Sequence, residues 1–424
     1  MKSWIAATVW TLWAFSAWSQ ETPAQSVSPE TLFLEARAVC DADGGRLWGA
    51  ELCGPMLVVD RETRAVVANQ AGTSDVLKPD GDVWRGTLPA QTILANTAVD
   101  WDGVRWTMVM APLPSTEISR RALATHENWH RIQPQLGLPM ASPTPAHLAT
   151  AEGRTAMRLE WRALAVALMT DDPVASRAAA GDALAFRAAR HALAGPSGAD
   201  EERVLELNEG LAEYTAIKLT APNPEASAVG ALTTAEAGES YPRSFPYASG
   251  PAYGLLLDRF VSDWRRGLTA DSDLGGLLAS AVGVPLLDDT AAIGDRYGAA
   301  EIAVAERETA RVRAEADARW TARLIDGPVL RLPFVAMNIG FDPNNLVPLP
   351  PHGTVYPTLT VTDAWGVLTV TGGALIDGNW QAVMIPAPSS VMETAGDGWT
   401  LELAEGWRLG SGDRPGDYVL KPLD

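Results

Sequence analysis

The chain has 424 residues, of which 52 are acidic and 33 basic, so its formal net charge is −19. Such a negative protein repels nucleic acid and anionic lipid, and the composition therefore argues against both as partners. A chain of this length is expected to form two or three domains with ample hydrophobic core.

Residues 1–19 have the pattern of a secretory signal peptide. Lys2 supplies a positive charge, and the apolar run over residues 4–18 is too short to span a bilayer with ease. Small residues at Ala17 and Ser19 mark a cleavage site. No later segment is long and apolar enough to cross a membrane. We therefore expect an exported protein, secreted or periplasmic, with no stable membrane insertion after the signal peptide is removed.

Residues 20–114 are expected to form a β-rich N-terminal region. Short β-branched runs recur between residues 45 and 113 and are broken by Gly, Asp and Pro. The only two cysteines, Cys40 and Cys53, lie in this region. In an oxidising compartment a single pair most often forms a disulfide, which here would close a hairpin-like loop. A cysteine-based metal site is less favoured, because no further thiols are present to complete it.

Residues 115–327 are rich in Ala, Leu, Glu and Arg and carry helical periodicity. From residue 328 to residue 424 strand-like runs return, separated by turn formers. The predicted fold is therefore α+β, with a β-rich N-terminal part, a mainly helical core and a small β-rich C-terminal domain.

The helical region opens with ALATHENWHRIQ at residues 122–133. On a helix, His126 and His130 lie about one turn apart and can bind one Zn²⁺ ion together. Glu127 is rotated by about 100° from His126, so it lies beside the metal and can accept a proton from water there. The histidines continue an apolar stripe that starts at Ile118, and this face is expected to be buried.

A zinc site with a water in the fourth position requires a third protein ligand. In LELNEGLAEYTAIKL, residues 205–219, Glu209 and Glu213 interrupt an otherwise apolar stripe. On a solvated face such a pair is unremarkable, but on a buried face it requires a cation. We expect Glu209 to bind zinc and Glu213 to accept a hydrogen bond from a zinc histidine. Glu160 is the fallback ligand.

The sequences HENWH and NEGLAEY together resemble the gluzincin metallopeptidases, the group of thermolysin-like and aminopeptidase-N-like enzymes. The resemblance implies a zincin-like core in which His126, His130 and Glu209 bind zinc. Glu127 would be its catalytic base. The resemblance extends loosely to residues 105–112, since in such enzymes an edge strand near the zinc pairs with an extended peptide substrate. The chain lacks the Gly-x-Met-Glu-Asn loop that holds a free amine in aminopeptidase-N-like enzymes, which argues against an exopeptidase.

Stabilisation of a transition state requires a hydrogen-bond donor opposite the base. Tyr241, Tyr247 and Tyr253 follow the predicted ligand helix. Tyr247 is favoured, because its Tyr-x-x-Gly context resembles the tyrosine segment of aminopeptidase-N-like enzymes. All three can equally pack at the start of a helix. His191, near a predicted helix end, can equally be a surface residue stabilised by the helix dipole.

Two functions compete at this point. The first is an exported zinc metallopeptidase that acts on a peptide or protein substrate, with Glu127 as general base. The second is a non-catalytic cell-envelope binding protein that keeps a structural or vestigial zinc site. Peptide hydrolysis that is lost on chelation would distinguish the two.

Overall fold

The computed structural model describes residues 27–89, 92, 94–238, 240–283, 290–341 and 345–423. The predicted signal peptide, residues 1–19, lies outside these residues. The fold is α+β, as predicted: a strand-rich N-terminal part, a helical middle and a strand-rich C-terminal part follow one another. The chain divides after Ile302 into two compact units.

The first unit begins with helix α1, Pro29–Asp43, which the sequence pattern did not predict. The Ser28 side chain caps its N-terminus, and Gly44 ends it in the left-handed conformation, with φ at 58°. The predicted disulfide between Cys40 and Cys53 is present. It ties the last turn of α1 to the segment before the first strand, instead of closing a hairpin between strands.

A six-stranded sheet follows, with the strand order β3-β4-β2-β1-β6-β5. Its strands are β1 (Met56–Val59), β2 (Ala65–Ala68), β3 (Lys78–Asp80), β4 (Val83–Thr87), β5 (Thr97–Trp101) and β6 (Val104–Met110). β1 and β6 are parallel, and the other neighbours are antiparallel. Every residue of β1 is buried, because Met56 and Val58 pack with α1 while Leu57 and Val59 join the cluster on the other face.

Helices build the rest of the first unit. They are α2 (Glu117–Ile132), α3 (Ala151–Met169), α4 (Pro173–Leu205), α5 (Leu211–Thr220), α6 (Pro224–Glu236), α7 (Pro246–Phe260), α8 (Leu274–Val282) and α9 (Thr290–Gly294). The last helix, α10 (Ala299–Thr321), begins in the first unit and continues into the second. α4 is interrupted at Gly195, whose φ of 70° and ψ of 177° suit glycine alone. A π-helical turn, Glu206–Gly210, joins α4 to α5. Among the described helices, none combines the length and the apolar character that a membrane span requires.

The second unit is strand-rich. Its strands are β7 (Val329–Pro333), β8 (Asn338–Phe341), β9 (Val347–Leu349), β10 (Gly353–Tyr356), β11 (Leu359–Asp363), β12 (Gly366–Val370), β13 (Ala374–Asp377), β14 (Ala382–Pro386), β15 (Ala395–Gly396), β16 (Trp399–Leu403), β17 (Trp407–Ser411) and β18 (Tyr418–Pro422). They form a seven-stranded sheet, β17-β18-β7-β14-β13-β10-β9, and a five-stranded sheet, β15-β16-β12-β11-β8. Alternate residues of β11 are buried, and one core takes side chains from both sheets, as in a β-sandwich.

Candidate metal centre

The two motif histidines lie on α2, at the predicted position. The Thr116 hydroxyl caps this helix by accepting a hydrogen bond from the backbone N–H of Ser119. His126 and His130 are both buried, and their Nε2 atoms lie 3.2 Å apart. One turn of helix therefore brings two nitrogen donors to a single point.

The predicted buried stripe on α2 is wrong at its start. Ile118 is 54 % exposed, and continuous burial begins only at Ala124. The first turns of the helix border a cavity, which is lined by Ser119 and Ala122. Because this face opens to a cavity, the apolar periodicity at the N-terminal end of α2 does not report core packing.

Glu209 approaches both imidazoles from the π-helical turn. Its Oε2 atom lies 3.4 Å from Nε2 of His126 and 3.6 Å from Nε2 of His130. The three donor atoms lie within 4.8 Å of one another, so this group can hold a metal ion. Two imidazole nitrogens and one carboxylate oxygen suit divalent transition metals.

The second nitrogen of each imidazole is held by an acceptor. Nδ1 of His126 lies 2.9 Å from Oε2 of Glu213, and Nδ1 of His130 lies 2.9 Å from Oε1 of Gln133. The side-chain nitrogen of Gln133 donates to Oδ1 of Asn208 at 3.0 Å, so its oxygen is the atom that faces His130. Both Nδ1 atoms must therefore carry hydrogens, and this assigns the neutral tautomers.

The tautomers explain why the centre suits a cation. With hydrogens on both Nδ1 atoms, the Nε2 lone pairs of His126 and His130 face each other and the carboxylate of Glu209. Three electron-rich atoms at these distances repel one another unless positive charge lies between them. The residues present therefore fit a bound divalent metal ion.

A proton can supply that charge when no metal is bound. Burial disfavours the imidazolium of His126, but the carboxylates of Glu209 and Glu213 outweigh burial and raise its pKa to about 10. Burial also opposes ionisation of Glu209, yet His126, His130 and the hydroxyl of Tyr247 hold the pKa of its carboxyl well below the ordinary range. The metal and a proton therefore compete for the same three atoms.

Glu127 lies beside this group and is buried, with 5 % of its surface exposed. Its Oε2 atom has no hydrogen-bond partner among the described residues, although it is buried. Glu127 lines the cavity, and burial raises the pKa of its carboxyl. A buried carboxylate oxygen without a donor is costly, so this atom is poised to accept a proton from a molecule that enters the cavity.

Tyr247 lies against the centre from α7. Its hydroxyl donates to Oε2 of Glu209 at 2.6 Å, and its ring stacks on the ring of His126 at 5.7 Å. Burial and the neighbouring carboxylate of Glu209 raise the pKa of Tyr247. The position follows from backbone packing, since a Cβ built on Gly250 would lie 2.2 Å from Cα of Gly210. Two glycines thus let α7 touch the π-helical turn.

A cavity of about 610 Å³ opens at the metal group. Asn96 and Thr97, at the start of β5, form part of its wall. The expectation of an edge strand at residues 105–112 is wrong, because β6 is paired on both sides, with β1 and β5. β5 is the edge strand of the sheet at this cavity.

Other predicted candidates lie away from the centre. Glu160, the fallback ligand, is buried against Arg190 and accepts a hydrogen bond from Tyr253. His191 lies four residues before the interruption of α4 at Gly195, and its Nε2 atom is 3.0 Å from Oε2 of Glu202. The hydroxyl of Tyr241 donates to a backbone carbonyl at 2.8 Å. Glu160 and Tyr241 are buried in the helical region, whereas His191 is half-buried at its edge.

Sequence reasoning did not identify Gln133 and Asn208. Gln133 follows His130 by three positions, a spacing that places it on the same helical face. Asn208 directly precedes Glu209, and its amide nitrogen donates to Oε1 of that carboxylate at 2.9 Å. The spacing could have indicated Gln133, whereas the role of Asn208 depends on the tertiary contact with it.

Comparison with protein-family models, with curated proteins and with solved structures finds no match for the chain. The fold and the site therefore define its class: an α+β protein with a two-histidine, one-carboxylate group able to hold a metal ion.

Proposed function

We propose that the protein is an exported zinc metallopeptidase of the gluzincin type that hydrolyses peptide bonds. The observation that carries the proposal is the position of Glu127, whose buried oxygen has no partner in the described part of the chain and lies beside the three-donor group at an open cavity. A structural metal site needs neither a free carboxylate nor a cavity. A hydrolytic site needs both, one to move a proton and one to admit substrate.

The donor separations are those that a zinc site requires. Ligand atoms at about 2.0–2.1 Å from Zn²⁺ in a tetrahedral site lie about 3.3 Å from one another. The observed separations are 3.2 Å between the two imidazole nitrogens, and 3.4 and 3.6 Å from these to Glu209. His126, His130 and Glu209 would hold the ion at the cavity that they line.

In the proposed reaction a bound zinc ion and four side chains have different roles. A bound zinc ion supplies a Lewis acid that acidifies water and polarises a carbonyl group. Glu127 accepts the proton of the attacking water and passes it to the leaving amine. Glu213 and Gln133 keep the imidazoles in the tautomers that present Nε2. Tyr247, which is 40 % exposed, can turn its hydroxyl from Glu209 toward the oxyanion.

A polypeptide substrate fits the surroundings of the site. β5 is an edge strand whose first residue lines the cavity, so its outer backbone groups can pair with an extended chain. The disulfide between Cys40 and Cys53 is compatible with an extracellular or periplasmic location. Export itself rests on the signal-peptide pattern.

The variant Glu127→Gln tests the proposal. We expect it to bind zinc as the wild type does but to lose at least about a hundredfold in hydrolysis of casein or a mixed peptide library, because only the proton acceptor is removed. Glu117→Gln, on the exposed first turn of the same helix, is the matched control and should keep full activity. Full activity of Glu127→Gln would show that the base is assigned wrongly. Metal binding by the wild type without hydrolysis would favour the non-catalytic binding protein.

A further inference from the structure

A buried ion pair adjoins the turn that carries Glu209. Arg187 on α4 is 3 % exposed, and Glu206, the first residue of the π-helical turn, is fully buried. The guanidinium donates from both terminal nitrogens to both carboxylate oxygens of Glu206, at 2.7 and 2.6 Å. This two-pronged geometry fixes direction as well as distance.

Arg187 is itself held by other elements. Asp273, at the N-terminus of α8, accepts a hydrogen bond from Nη2 at 3.0 Å. The guanidinium lies 5.1 Å from the centre of the Tyr253 ring. A Cβ built on Gly275 would lie 2.5 Å from Nε of Arg187, so the backbone of α8 closes over the side chain. The arginine has little freedom to move, and neither does the carboxylate that it binds.

The π-helical turn places the carboxylate of Glu206 on a different side of the helix from those of Glu209 and Glu213. In a regular α-helix Glu206, Glu209 and Glu213 would share one face, because they are three and seven positions apart. One extra residue in a turn shifts the helical phase by about 100°. In the structure Glu206 faces Arg187, whereas Glu209 and Glu213 face His126. The change of phase therefore lets one short segment serve the core and the metal centre.

We propose that the Arg187–Glu206 pair is a positioning device for the metal centre, which fixes the π-helical turn so that Glu209 reaches the two histidines. The inference rests on the metal-binding role proposed for Glu209. Arg187 holds the start of the turn, and the contact of Gly210 with Gly250 holds its end. Neither Arg187 nor Glu206 belongs to the three-donor group, so both would act through the geometry of Glu209.

The variant Arg187→Lys tests the proposal, with its Zn²⁺ affinity measured by competition with a chelator. Lysine keeps the charge but not the two-pronged contact, so we expect Zn²⁺ to bind about 10–100-fold more weakly. The visible absorption of the Co²⁺-loaded variant should also change, because the coordination geometry changes. Glu206→Gln, which keeps the shape and one acceptor, should show a smaller change in the same direction.

The matched control is Arg190→Lys. Arg190 is fully buried and donates to both oxygens of Glu202, at 2.8 and 2.7 Å, and to Glu160, which lies 3.9 Å from Arg187. Glu202 comes one turn before Glu206, so Arg190 makes its two-pronged contact outside the π-helical turn. We expect its Zn²⁺ affinity to stay within about twofold of the wild type and its Co²⁺ absorption to be unchanged.

Three outcomes would overturn the proposal. The first is a folded Arg187→Lys protein that keeps the Zn²⁺ affinity and Co²⁺ absorption of the wild type. The second is a loss of Zn²⁺ affinity in Arg190→Lys as large as that in Arg187→Lys, because destabilisation of the whole core would then explain both losses. If Arg187→Lys does not fold, Glu206→Gln is used in its place. The third outcome that would overturn the proposal is a Glu206→Gln protein that binds Zn²⁺ as tightly as the wild type. The proposed function fails separately, if the wild type binds no Zn²⁺ or if Glu209→Ala binds it as tightly as the wild type.

Discussion

Two imidazole nitrogens that lie 3.2 Å apart with a carboxylate beside them need positive charge between them. In this centre the acceptors Glu213 and Gln133 occupy the outer nitrogens, so the inner ones can bind a metal ion or, in its absence, share a proton. The preference of this centre for a positive charge therefore depends on two hydrogen bonds, one from His126 and one from His130. It gives the metal-free protein a specific dependence on pH.

We expect the metal-free protein to lose stability as pH rises from 7 to 9. The pKa of His126 is about 10 in the folded protein and about 6.5 in an unfolded chain, so the folded state holds one more proton between these values. That stabilisation is complete below pH 6.5 and is lost as pH rises toward 10, by up to about 1.4 kcal/mol per pH unit. Urea unfolding at a series of pH values measures the slope.

The variant His126→Gln is the control for this slope, because it has no proton to lose at that position. Its stability without metal should vary less between pH 7 and 9 than that of the wild type. Equal slopes for the two proteins would contradict the assignment to His126. The zinc-loaded wild type should also lack the slope, since the ion takes the place of the proton.

At the level of elements, the centre depends on one close helix contact. α7 meets the π-helical turn at Gly250 and Gly210, and this contact places Tyr247, three positions before Gly250, on the carboxylate of Glu209. No side chain fits between the two backbones. The packing of α7 and the orientation of the ligand are therefore coupled.

Gly250→Ala should damage both stability and the metal centre. Its Cβ would lie 2.2 Å from Cα of Gly210, so α7 must shift, at a cost of about 1–3 kcal/mol. We expect the shift to remove the contact of Tyr247 with Glu209 and to weaken Zn²⁺ binding, measured by chelator competition beside urea unfolding. Gly230→Ala on α6 is the control, since no atom lies within 4 Å of its Cβ, and it should be neutral or stabilising. Unchanged Zn²⁺ affinity in Gly250→Ala would show that the packing of α7 and the orientation of Glu209 are not coupled.

Prediction of the elements succeeded where the hydrophobic pattern was long or strongly periodic. The strands β1, β2, β4 and β6 lie within the β-branched runs at residues 54–60, 64–70, 83–89 and 104–112, and α2 lies within the helical pattern at residues 115–134. The helices α3 and α7 overlap the helical runs at residues 154–169 and 249–266 but begin three residues earlier. α1, β3 and β5 were missed. β3 has the sequence KPD and is fully exposed, so only its pairing with β4 makes it a strand. Such short elements take their conformation from neighbours, which no local pattern reports.

At the scale of the whole molecule, the two units have separate hydrophobic cores, and all three metal donors belong to the first unit. A metal that binds only the folded first unit stabilises that unit by mass action. The second unit contains none of the three donors. Metal should therefore affect the two units differently.

Chelation should lower the stability of the first unit alone. With free zinc at about a thousand times its dissociation constant, binding contributes about 4 kcal/mol. We expect calorimetry to show one transition that moves to lower temperature with EDTA and one that does not move. Glu209→Ala should show no response to EDTA in either transition. A single transition that moves as a whole would contradict independent unfolding of the two units.

The sequence by itself determined the α+β class, the disulfide partners and the pairing of His126 with His130, because each depends on composition or on spacing within one element. It also favoured Glu209 as the third ligand, with Glu160 as the fallback. The tertiary structure decided between them: Glu160 lies in the core and Glu209 at the histidines. It brought Tyr247, which the sequence favoured among three tyrosines, into contact with Glu209, and it alone placed Gln133 and the Arg187–Glu206 pair. The physical reason is that contacts between distant positions depend on how helices pack and on a single π-helical turn, and neither follows from local periodicity.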